Sequence, residues 1–173
     1  MPETPKQYTK RILGYVGGRH PLRVQEVTPA KLARLVRPLT RQQIRRRPAP
    51  GKWSIGEILA HLAETELVGG YRMRMILSKS GTPIQAFDQD VWARNSRYDR
   101  MDPKKSLETF CVLRQANLAL LKSLPRSKWS CYGMHAERGK ETIRRVAEMF
   151  AGHDLNHLQQ VERMARSFRP GKK

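Results

Sequence analysis

Apolar residues recur at helical spacing along most of this chain, and two of the long runs open on a residue suited to cap a helix. In "SIGEILAHLAETE", Ser54 stands three residues before Glu57, the spacing of a capping box in which each side chain bonds the other's backbone N–H. Ile55, Ile58, Leu59, Leu62, Met73, Ile76 and Leu77 then share one face, which predicts a helix over 55–79. Gly69 and Gly70 cost that helix about 1 kcal/mol each in propensity and read as places where a neighbouring helix comes close. Asp102 before Pro103 opens a second helix, with Leu107, Phe110, Cys111, Leu118 and Leu121 on its buried face until "SLP" stops it. A third runs over 142–167, with Val146, Met149, Phe150, His153, His157, Gln160, Val161 and Met164 along one face.

Shorter helices are expected over 8–16 and, after "VTP", over 29–36. "RRRPAPGKW" and "RSKWSCYGMHAERGKE" read as connectors, and 81–101 as a long connection with a helical turn around 91–95. No segment alternates apolar and polar residues with period two, so a sheet is not expected. The pattern predicts an all-α fold, an antiparallel four-helix bundle with one long crossover connection, as a single domain over residues 1–173.

Composition narrows the class of function. With 39% apolar and 28% charged residues the chain reads as a globular protein, and no run approaches the roughly 20 apolar residues that span a bilayer. The polar opening "MPETPKQYTK" carries no signal-peptide core, so a cytoplasmic protein with no membrane association is expected. Two cysteines, Cys111 and Cys131, make no disulfide framework, and Cys111 reads as a small core residue. The net charge of +19 predicts attraction to polyanions. Its arginines and lysines are spread over almost every segment, only "RQQIRRRP" (41–48) is dense, and no nucleic-acid module is recognisable. A basic nucleic-acid-binding protein therefore stands as the alternative reading rather than the first.

"MFAGHDLNHLQQVERM" places His153 and His157 four residues apart on a face otherwise apolar. That spacing stacks two imidazoles one turn apart, so both can reach one ion. It equally suits a pair of structural core histidines. A metal site needs a further ligand, and His61, flanked by Ile58 and Leu62 on the capped helix, is the candidate. Gln160, three residues after His157, and Glu64, three after His61, are placed to accept an imidazole N–H and fix its tautomer. The H-D-L-N-H run is not a zinc-protease motif, because Asp154 stands where that chemistry needs glutamate. Asp154 and Asn156 read as residues that orient neighbours or face solvent. His135 falls where it can approach the mouth of the bundle, and His20 reads as an exposed loop residue.

"GKWSIGEILAHLAETE", followed some ninety residues later by "AGHDLNHLQQVERM", resembles the DinB/YfiT-like superfamily of metal-dependent enzymes. A tryptophan before a capped helix, a histidine followed by acidic residues, and a late H-x-x-x-H with trailing glutamine occur in its order. "TPAKLARLVRPLTRQQIRRRPAPGKW" is similar to that family's N-terminal region. The resemblance implies metal ligation by His61, His153 and His157, a divalent ion such as nickel or zinc, and a homodimer. It also implies hydrolase-like or thiol S-transferase-like chemistry on a small molecule, the latter with a low-molecular-weight thiol as cosubstrate. Which reaction runs, and which residues catalyse it, the sequence leaves open.

Overall fold

The computed structural model describes residues 3–168. Its helices are α1 (Pro5–Val16), α2 (Pro21–Val36), α3 (Arg41–Arg45), α4 (Ile55–Ser78), α5 (Gln89–Asn95), α6 (Pro103–Ser123) and α7 (Ile143–Ser167). Three short strands, β1 (Thr82–Ile84), β2 (Tyr132–His135) and β3 (Gly139–Thr142), lie between them. The capping signals act as the sequence implies. Ser54 and Glu57 form the capping box of α4, and Asp102 caps α6 by accepting from the N–H groups of Lys104 and Lys105.

Helices α2, α4, α6 and α7 form the bundle, and the two larger core clusters fix their directions. One cluster joins Leu32 and Val36 near the end of α2, Ile55, Ile58 and Leu59 at the start of α4, Phe110 of α6, and Val161 and Met164 late in α7. The other joins Met73 and Ile76 late in α4, Leu121 late in α6, and Ile143, Val146 and Ala147 at the start of α7. So α4 and α6 run together, α2 and α7 run against them, and residues 79–102 make the crossover. Between the clusters lies a layer of buried polar side chains, Gln25, Thr28, Glu66, Arg114, Asn117 and Asp154. The adjacent glycines do mark close approach: a Cβ on Gly69 would stand 1.9 Å from Phe150 Cζ, and one on Gly70 2.5 Å from Asn117 Oδ1.

Two expectations need correction. The second helix begins at Pro21, not Pro29, and carries Pro29 inside it. Proline lacks the N–H that would bond the carbonyl four residues back. That carbonyl, of Gln25, accepts instead from Arg114 Nη1 at 3.0 Å, so a side chain on α6 replaces the missing helical bond. A sheet also exists: β1 pairs parallel with β2, and β2 antiparallel with β3. Burial alternates along β1 and β2, but the inward residues are Thr82, Ile84, Gly133 and His135, so hydropathy does not alternate with it. Gly133 fits because Ile84 lies over it; a Cβ there would meet Ile84 Cδ1 at 2.4 Å.

Candidate metal centre

His61 comes from the second turn of α4, and His153 and His157 from successive turns of α7. Their rings converge. His61 Nε2 lies 2.9 Å from His153 Nε2, and His157 Nε2 lies 3.1 Å from the same atom. Among the described residues these three form a cluster whose potential ligand atoms all lie within 4.8 Å of one another. Three nitrogens about 2.0–2.1 Å from a tetrahedral ion stand roughly 3.3 Å apart, so the set needs only small ring movements to fit one.

The protonation of the rings suits the same purpose. Gln160 Oε1 lies 3.1 Å from His157 Nδ1. An amide oxygen can only accept, so Nδ1 carries the proton and Nε2 turns its lone pair to the cluster. Burial holds His61 and His153 well below the ordinary histidine value, with the neighbouring imidazoles adding to the effect. His157 is pushed down to about 4, chiefly by burial. All three are neutral at physiological pH, the form that ligates a metal. Trp53 packs on His61, ring centroids 4.8 Å apart, and Tyr98 meets the edge of Trp53 at 6.2 Å.

Glu64 has a different partner from the one expected. Its Oε2 accepts from the Tyr98 hydroxyl at 2.8 Å, because the 79–102 crossover returns along α4 and brings Tyr98 against it. Asp154 neither faces solvent nor touches the histidines; it is 1% exposed and paired with Arg114. Asn156 does line the site and accepts from Arg11 at 3.2 Å. His20 is exposed, whereas His135 is buried beneath the small sheet, its Nδ1 accepting from the backbone N–H groups of Glu137 and Arg138.

The cluster opens on a cleft of about 720 Å³ floored by His153 and His157. Tyr8 and Arg11 of α1, Lys52 and Trp53 of the connector, and Arg163 of α7 contribute to its walls, with Asp90 as the acidic member. Arg11 is also bound by both carboxylate oxygens of Glu3, at 2.8 Å each.

A family model described as the DinB superfamily matches residues 26–161, which include all three histidines. The chain belongs to the DinB superfamily. Within that superfamily it is 24% identical over 147 residues to "Putative metal-dependent hydrolase YfiT" of Bacillus subtilis, covering 84% of this chain and 82% of the relative. A relative from Oceanobacillus iheyensis, likewise named a "Putative metal-dependent hydrolase", is 23% identical over 136 residues, 79% of this chain and 78% of its own. The solved structure of Bacillus subtilis YfiT, reported as having an unusual four-helix bundle topology, superposes with a TM-score of 0.78 at 22% identity. It covers 95% of this chain and 89% of that one, so the bundle and its crossover are the fold of this DinB protein. Among the described residues no helix is long and apolar enough to cross a membrane.

Proposed function

We propose that this DinB protein is a metal-dependent enzyme that holds a divalent transition ion, nickel or zinc, on His61, His153 and His157 and acts on a small anionic molecule. The observation that carries the reading is the convergence of three neutral imidazole Nε2 atoms beside an open cleft that His153 and His157 line, with Gln160 fixing one tautomer. A buried histidine cluster with only structural work would be satisfied by outside partners. Here His153 Nε2 faces two other imidazole nitrogens, and one ring proton cannot serve both.

When bound, such an ion supplies Lewis acidity to whatever group fills its open position, which suits hydrolysis or transfer from a thiol. The chain's own residues do the rest. Gln160 holds the His157 proton on Nδ1, and Trp53 shields His61 from water on the connector side. Lys52 and Arg163 set a positive cleft wall within the field of a chain of net charge +19. That wall supports an anionic substrate, and an anionic low-molecular-weight thiol in particular, so S-transfer is the preferred reaction and hydrolysis the alternative.

Metal analysis of the purified protein and of a His153→Ala/His157→Ala variant tests the reading. Loss of the bound ion in the variant is the expected result, and metal content unchanged by both substitutions would overturn it. A screen of thiols against model electrophiles, run beside ester and amide substrates, then separates transfer from hydrolysis. Duplex DNA binding that is tight, salt-sensitive and indifferent to the double substitution would favour a nucleic-acid partner instead.

A further inference from the structure

The two helices that carry the histidines also carry the two carboxylates held by a single buried arginine. Helix α4 supplies His61 and, five residues on, Glu66; helix α7 supplies His153 and, next to it, Asp154. Arg114 of α6 binds both acids. Its Nη2 donates to Glu66 Oε1 and to Asp154 Oδ1, each at 2.8 Å, and its Nη1 donates to Asp154 Oδ2 at 2.5 Å. The remaining Nη1 bond goes to the Gln25 carbonyl that Pro29 leaves free on α2. One side chain thus ties all four helices of the bundle, and it is 1% exposed, as are both acids. Asn117 Nδ2 holds the other Glu66 oxygen at 3.0 Å and the Glu66 carbonyl at 2.9 Å, which fixes the rotamer Arg114 meets.

We infer that Arg114 is a positioning residue for the metal centre, clamping α4 and α7 in the one register that brings His61 to His153 and His157. The inference rests on the metal reading given above. A guanidinium is a planar fork, so a bidentate carboxylate on α7 and a second carboxylate on α4 must lie at set angles around it. Sliding α7 by one turn, about 5.4 Å, would break that pair and carry His153 away from His61 in the same movement. An apolar layer is less exacting about register, because packed methyl groups make no directional bonds. Replacing a buried ion cluster with well-packed apolar groups is often neutral or stabilising, so net stability by itself does not account for this one. The clamp sits beside the ligands on both helices, which is where a register device serves the site.

The test compares zinc affinity, read by competition with a chromophoric chelator, and the visible spectrum of the cobalt(II)-loaded protein. The variant Glu66→Leu/Arg114→Met/Asp154→Leu replaces the cluster with apolar groups and leaves no unpaired charge. It is expected to fold with a cooperative melt yet bind zinc about ten- to a hundredfold more weakly, with a changed cobalt spectrum. Leu121→Ala, in the other end of the core, is expected to lower the melting temperature while zinc affinity stays within about twofold of the parent. Zinc affinity of the triple variant within about twofold of the parent, with the parent's cobalt spectrum, would overturn the clamp. Should the triple variant not fold, Arg114→Lys decides: it keeps the charge but not the fork, and parental affinity and spectrum there would overturn the proposal equally. A parent that binds neither zinc nor cobalt would overturn the metal reading itself, a result distinct from either.

Discussion

Replacing Gly152 by alanine is expected to loosen α1 without dismantling the bundle. Gly152 precedes His153 on α7 and lies directly under α1; a Cβ there would stand 2.1 Å from the Ile12 carbonyl oxygen and 2.8 Å from its carbon. Atoms in contact sit about 3.5 Å apart, so α1 would have to retreat by more than 1 Å. The obstacle is backbone inside a helix, which cannot swing aside as a side-chain tip can. Overpacking of this kind costs about 1–3 kcal/mol. Full release of α1 would instead forfeit the burial of Ile12 and Val16, about 1.5–3 kcal/mol each. Alanine returns about 1 kcal/mol in helix propensity, which leaves a net loss of up to about 2 kcal/mol concentrated on α1. Hydrogen exchange read by mass spectrometry is the assay: peptides from α1 should lose protection while those from α4 and α6 keep theirs. Gly69→Ala is the comparison, since the atom in its way is the tip of the Phe150 side chain, which can swing aside about χ1 where helix backbone cannot; its cost should be smaller. A Gly152→Ala protein as stable as the parent, with α1 still protected, would refute the reasoning.

Acid should destabilise the metal-free protein. Burial holds His157 at about 4 in the folded chain, below the ordinary value near 6.5, so the unfolded chain binds more protons between those values. Stability is therefore complete above that window and falls as pH drops through it, by about 3 kcal/mol from His157, with His61 and His153 acting in the same direction. Melts of chelator-treated protein across pH 7 to 4 check this, and a flat profile would contradict it. Gln160→Ala frees the His157 tautomer and should weaken zinc binding about tenfold with little change in melting temperature, measured by chelator competition. Pro29→Ala, which would recover about 3 kcal/mol in an ordinary helix interior, should recover less than about 1 kcal/mol, because the Gln25 carbonyl already has Arg114. Chemical denaturation of the two proteins measures the difference.

The long helices were legible because their signals are local: Ser54 with Glu57 and Asp102 with Pro103 announce α4 and α6 from neighbouring residues. The histidine pair on α7 follows from spacing, and His61 from a face. What the sequence hid depends on distant partners. Pro29 reads as a helix start unless an arginine 85 positions later fills the bond it removes. Tyr98 has no motif, and only the path of the crossover brings it to Glu64. Asp154 sits among residues that look surface-facing, and its burial is tolerated only through the pairing with Arg114. The strands stayed hidden because glycine, threonine and histidine occupy their inward positions.

The polar layer across the middle of the bundle has a consequence for how this protein can change. It separates the apolar cluster around Leu59 and Phe110 from the one around Ile76 and Leu121. Side chains in one compartment do not interdigitate with those of the other, so their volumes are independent. Substitutions in different compartments should then combine additively, whereas neighbours within one compartment must change together. The half remote from the histidines can be remodelled by drift while the half that carries His61 stays as it is.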